Sequence, residues 1–190
     1  QVNISSNTDS INLGTSAVYE TISSSFTISN DGTGIMEIFI STDNSDFETN
    51  LDNALIPGGE NVDIEVLFYP QVAGLNHSNI FILSNDPDNP VYEIKVQAFA
   101  VSELDGELCN STLTSINSPY ILMGDITVPG NCSITLEPGV EISGDEFSIY
   151  IDGTLNAIGT NSDSIKIVAD ELFIMDSIGN NTLNLLSINT

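Results

Sequence analysis

The stretch "ITVPGNCSITLEPGVEISG", residues 126–144, turns a corner twice within nineteen residues. Pro129-Gly130 and Pro138-Gly139 separate runs of three to five residues, and "SIYIDGTLNAIGT" repeats the pattern with Asp152-Gly153 and Gly159. Runs this short leave no room for an amphipathic helix, and corners this close leave none for long hairpins. The series "DITV", "SITL", "VEI", "SIYI", "TLNAI", "SIKIV", "LFIM", "TLNLLSI" suits a coil wound about an axis, each rung stacked on the one below. The apolar side chains of such a coil point inward as a single column.

The first hundred residues have a different texture. Val62, Ile64, Val66 and Phe68 alternate with Asp63, Glu65, Leu67 and Tyr69, and Tyr92, Ile94, Val96 and Ala98 alternate with Glu93, Lys95, Gln97 and Phe99. Period-two runs of this kind are half-buried strands. Turn clusters at 30–34, 56–60, 70–77 and 85–90 separate them, with no helical pattern between. About seven short strands at that spacing make a β-sandwich. The expected organisation is all-β: a sandwich over 1–102, a polar aperiodic connector over 103–117, and coil rungs over 118–190, of which about three fit into the chain.

Charge narrows the partners. Lys95 and Lys166 are the only basic side chains besides His77, against 27 acids, for a net charge of -25. Nucleic acid and anionic membrane both require clustered cations, so neither is an expected partner. The acids divide 14 to 13 about residue 102, so no acidic tail exists; solubility in salty surroundings or divalent-cation binding is the natural use. No apolar run approaches the roughly 20 residues of a membrane helix. A chain that opens at Gln1 reads as a mature form whose targeting segment has been removed or left out, and export is the expectation. In that setting Cys109 and Cys132 read as one disulfide closing a loop of about two dozen residues, worth roughly 3 kcal/mol if unstrained. Two free thiols or a metal pair are the alternatives.

Both halves also resemble known families. "INLGTSAVYETISSSFTISNDGTGIMEIFIS", "IPGGENVDIEVLFYP" and "AGLNHSNIFILSNDPDNPVYEIKVQAFA" resemble the Hydin-type immunoglobulin-like domain called choice-of-anchor D in bacterial surface proteins, over residues 9–101. Its signatures stand in order, with Asn30 to Gly34 expected as a tight hairpin turn, Pro57-Gly58-Gly59 as a corner and Pro70 as a strand terminator. "SPYILMGDITVPGNCSITLEPGVEIS" with "IYIDGTLNAIGTNSDSIKIVADE" resembles the opening rungs of right-handed parallel β-helix domains in exported bacterial proteins. The resemblances imply a spacer or interaction module of a secreted surface protein, as in Bacteroidetes-like bacteria, and not an enzyme. The exposed end of a short coil implies a further rung, a neighbouring domain or another copy of the chain stacked on it.

Candidate sites follow from residue type. Asp43, Asp46, Asp86 and Asp88 lie in oxygen-rich turns that suit calcium, although no EF-hand spacing is present and solvated turn carboxylates are the plainer reading. N-x-[ST] sequons occur at Asn3, Asn76, Asn110, Asn131 and Asn180. "DSI" occurs at Ser10, Ser164 and Ser177 and resembles the Asp-Ser/Thr-apolar sites of O-glycosylation in Bacteroidetes. His77 has no nucleophile elbow near it. Asp145-Glu146 and Asp170-Glu171 are adjacent acids, the raw material for glycoside hydrolysis but also for plain corners. The leading expectation is therefore a non-catalytic structural module of an exported cell-surface protein: a stalk, adhesin segment or extracellular filament subunit, without a cofactor unless calcium. A carbohydrate-active β-helix enzyme or a module that binds surface glycans is the competing class. The chain has no tryptophan, and the second half offers only Tyr120, Phe147, Tyr150 and Phe173 as aromatic platforms.

Overall fold

The computed structural model describes residues 1–175 and, beyond them, the backbone of Thr182–Asn184 and Leu186–Asn189. The chain divides into two units, residues 1–71 with 75–100 and residues 72–74 with 101–190. Among the described residues the only helical segment is a single 3-10 turn, Ser115–Asn117.

The first unit is built from β1 (Ile4–Ser6), β2 (Ser10–Ala17), β3 (Ile22–Asn30), β4 (Met36–Thr42), β5 (Phe47–Thr49), β6 (Asn53–Ile56), β7 (Asn61–Phe68), β8 (Gly74–Ser84) and β9 (Val91–Glu107). One sheet runs β1-β3-β7-β5, antiparallel throughout. The other runs β6-β4-β8-β9, with β2 also on β9. The alternation read from the sequence sets the faces: Ile64, Val66 and Phe68 of β7 and Ile94, Val96, Ala98 and Ala100 of β9 are buried, while Asp63, Glu65, Lys95 and Gln97 are exposed. Phe26, Phe47 and Phe68 fill the centre, the rings of Phe47 and Phe68 lying 4.7 Å apart. Each such side chain contributes roughly 1.5–3 kcal/mol on leaving water.

The Asn30–Gly34 turn does not close a hairpin as its sequence suggests. β3 pairs with β1 and β7 whereas β4 pairs with β6 and β8, so the turn carries the chain from one sheet to the other. The fully buried Asn30 is the reason. Its Nδ2 donates to the carbonyls of Gly34 (2.7 Å) and Ile56 (2.9 Å), and its Oδ1 accepts from the N–H groups of Gly32 (3.1 Å) and Asn3 (3.4 Å). The N–H groups of Thr33 and Gly34 are spent on the carbonyl of Gln1 rather than on a neighbouring strand, so no two-strand ladder forms there.

The second unit is a parallel solenoid. Its strands are the last residues of β9, then β10 (Ser111–Leu113), β11 (Tyr120–Val128), β12 (Ser133–Leu136), β13 (Glu141–Gly144), β14 (Ile149–Ile151), β15 (Thr154–Ile158), β16 (Ile165–Ala169), β17 (Leu172–Ile174), β18 (Thr182–Asn184) and β19 (Leu186–Asn189). They stack in three parallel ladders: β10-β12-β15-β18, β9-β11-β13-β16-β19, and the end of β11 with β14 and β17. Like residues stand above like: Leu113 over Leu136 over Ala157, Ile142 over Ile167, Val128 over Ile151 over Ile174. The expected inward apolar column is present, its core including Leu104, Leu122, Ile126, Ile134, Val140 and Leu155.

Residues 103–117, read from the sequence as a connector, are instead part of this coil. Ser102 to Glu107 pair in parallel with Tyr120 to Thr127, and Ser111 to Leu113 pair with Ile134 to Leu136. Each strand of this rung buries a single side chain, Leu104 or Leu113, so it carries no apolar period along the sequence. The coil accordingly begins at Val101, one rung earlier than expected, and the first unit ends at Ala100.

Candidate functional site

The corners hold the second unit in register. The Cys132 N–H donates to the Pro129 carbonyl (2.8 Å), the Gly153 N–H to the Val128 carbonyl (3.0 Å) and the Val140 N–H to the Glu137 carbonyl (3.2 Å). Glycine at 153 is required by contact: a Cβ there would lie 2.3 Å from the carbonyl oxygens of both Cys132 and Pro129. Gly139 sits at φ +86°, where a side chain is strained. Cys109 and Cys132 are bonded, with Cα atoms 4.8 Å apart, which joins the turn before β10 to the turn before β12 on the next rung. The disulfide expected from the cysteine pair is present, and neither thiol is free.

The acids of the calcium reading are not gathered. Asp43 accepts from the Asn79 N–H (2.7 Å), Asn79 Nδ2 (2.7 Å) and Ser78 Oγ (2.8 Å), and the Asn79 N–H above all holds its carboxyl below the usual carboxylate range. Asp86 is 1% exposed; its Oδ2 accepts the Ile4 N–H at 2.9 Å and its Oδ1 the Asp88 N–H at 3.0 Å. Those two N–H groups, Ile4 first, lower its pKa. Asp46 accepts weakly from the Gln71 N–H (3.4 Å), and Asp88 contributes only its backbone to Asp86. Among the described residues no three acidic, histidine or cysteine side chains are placed to share a metal ion. Asp86 thus acts as a pin that fastens β1.

The modification candidates lie mostly at the surface. Ser10, Ser164, Asn3, Asn110 and Asn131 are exposed and Asn76 is half-buried, while Ser177 and Asn180 lie outside the described residues. The Oδ1 of Asn110 accepts from Ser133 Oγ at 3.2 Å, and the sequon hydroxyl of Ser78 is buried against Asp43. Asp145, Glu146, Asp170 and Glu171 are exposed corner acids on two successive rungs, and Asp125, which precedes the Ile126–Ile149 pair, accepts the Ser148 N–H on its Oδ1 at 2.9 Å. Tyr150 and Phe173 stack outward, 5.2 Å apart and 4° from parallel, so each already gives one ring face to the other. This pair follows from the rung register, which the sequence alone does not reveal.

One concavity on the first unit collects polar side chains. A groove of about 380 Å³ is lined by Ser10 and Asn12 of β2, His77 and Asn79 of β8, and Lys95 and Gln97 of β9, with Ile11, Ser78 and Val96 as its floor. His77 and Lys95, 18 positions apart in the sequence, meet in this groove because β2, β8 and β9 lie side by side.

The family model of the HYDIN/CFA65/VesB-like Ig-like domain matches residues 3–98. The chain belongs to this family. Among solved structures, the HYDIN-type unit is similar to a protein of unknown function from Porphyromonas gingivalis W83, at 24% identity and a TM-score of 0.47, over 52% of this chain and 46% of that one. It is also similar to PapD-like domain 7 of human CEP192, at 12% identity and a TM-score of 0.45, over 52% and 85%, and to the E. coli chaperone DraB, at 9% identity and a TM-score of 0.42, over 52% and 55%. No curated protein matches the chain. Among the described residues, no helix is long and apolar enough to cross a membrane.

Proposed function

We propose that this HYDIN-type chain is a non-catalytic structural and interaction segment of an exported cell-surface protein, serving as a stalk, adhesin segment or extracellular filament subunit. The observation that carries the reading is the Cys109–Cys132 bridge across the first rungs of the coil. Disulfides of this kind persist in oxidising compartments, outside the reducing cytosol. Parallel ladders bonded rung to rung by backbone groups resist extension along the axis, and a covalent clamp at the first rungs opposes fraying where a coil is weakest. Ig-like family membership supports a module that works through contacts. The partners in this reading are neighbouring domains or further copies stacked on the coil, and surface glycans. A Bacteroidetes-like setting with O-glycosylation at the exposed Ser10 and Ser164 belongs to the same proposal.

The test is protease shaving and surface labelling of intact cells of the source organism, with the intact mass read under non-reducing conditions. Release of the chain with its bridge closed is the expected result. Recovery in the cytosolic fraction with two alkylatable thiols overturns export. Added mass at Ser10 or Ser164 is expected if glycosylation accompanies it, and an unmodified mass removes that part.

A further inference from the structure

We propose that the groove between β2, β8 and β9 binds a carboxylate-bearing sugar, a uronic acid residue of an acidic polysaccharide. The first ground is the placement of charge. Of the two lysines, Lys166 is paired with Glu141 on the adjacent rung, while Lys95 has no ion-pair partner among the described residues in a chain that offers 27 acids. The unpaired lysine stands on the groove wall beside His77. The second ground is the company it keeps. Asn12, Asn79, Gln97 and Ser10 line the same groove with amide and hydroxyl groups that both donate and accept, the match for vicinal sugar hydroxyls. Asp43 faces Ser78 and Asn79 and fixes the Asn79 amide through its N–H and Nδ2, so that part of the wall is pre-organised.

Size agrees with this ligand, and its charge is met locally by Lys95 against a chain of net charge -25. A volume of about 380 Å³ lies at the small end of ligand sites, about 300–1,000 Å³, which suits one or two sugar rings. One charge-assisted bond among several neutral ones in an open groove gives affinity of about millimolar order. Uronate recognition deepens the surface-module reading but is measured on the purified chain, so either can fail without the other.

The experiment is an NMR titration of the full isotope-labelled chain with sodium glucuronate, glucose and sodium acetate at constant ionic strength. Glucuronate is expected to shift the amides of Ser10, Asn12, His77, Asn79, Lys95 and Gln97 saturably, with glucose and acetate each at least about tenfold weaker. Lys95→Gln should weaken glucuronate about tenfold, while Lys166→Gln leaves it unchanged. Asn12→Asp keeps the Oδ1 bond to the Gly14 N–H and adds a negative charge, so it should reject glucuronate and spare glucose. Shifts scattered outside the groove, equal response to acetate or glucose, or full affinity in Lys95→Gln each overturn the proposal.

Discussion

Asp86 spends one carboxylate oxygen on the Ile4 N–H and the other on the Asp88 N–H, an arrangement that only an acceptor-only side chain satisfies. Asp86→Asn turns an amide donor against one of the two, so the thermal midpoint should fall by several degrees, read by circular dichroism. Because those bonds hold the Asp86 pKa below its usual value, its contribution is complete above about pH 4 and is lost as pH falls through the folded value. Asp43, lowered chiefly by the Asn79 N–H, and Asp163, lowered chiefly by Ser162 Oγ, act in the same direction. Acid unfolding should therefore set in below about pH 4, and Asp86→Asn should flatten that dependence. At Gly153 the limit is space: an added Cβ meets two carbonyl oxygens at 2.3 Å, and neither belongs to a side chain that can swing away. Gly153→Ala should cost about 2–3 kcal/mol in denaturant unfolding, where Gly14→Ala, with open space but φ +91°, tests backbone strain alone.

For the elements, register decides what the coil is made of. β12, β15 and β16 were legible because each carries two or three inward apolar residues between corners, as in Ile134 with Leu136 or Ile165 with Ile167. The first rung was not legible, since Leu104 and Leu113 are isolated in polar text and become core residues only by stacking under Leu122 and Leu136. The disulfide binds that weakly apolar rung to the next. Opening it in a Cys109→Ser, Cys132→Ser chain should lower stability by about 3 kcal/mol for a sequence separation of 23, seen as a lower denaturation midpoint with a steeper slope, because the unbridged denatured chain exposes more surface. Ile134, at the centre of β12, gives a comparison: Ile134→Ala should cost about 2–5 kcal/mol by opening a cavity in the column.

Across the whole molecule, 27 acids against two lysines make self-repulsion a general opponent of folding. The corner acids Asp145, Glu146, Asp170 and Glu171 add to it by standing on successive rungs of a parallel stack. Raising sodium chloride from about 10 to 300 mM contracts the Debye length from about 30 to 6 Å and should raise the thermal midpoint, whereas a fall with salt would mean that attractive pairs dominate. The sequence by itself determined the all-β class, the sandwich and coil halves and the corners, and made a disulfide the leading reading of its two cysteines, which the structure shows bonded. Each of these rests on local spacing: period two for a strand face, and Pro-Gly and Asp-Gly for a bend. Only the tertiary structure decided that the Asn30 turn crosses between sheets, that residues 103–117 form a rung, that Asp86 pins β1, and that Lys95 and His77 share a groove. Those depend on which backbone groups distant strands offer one another, and hydrogen-bond partners up to 82 residues apart leave no trace in the spacing of neighbours along the chain.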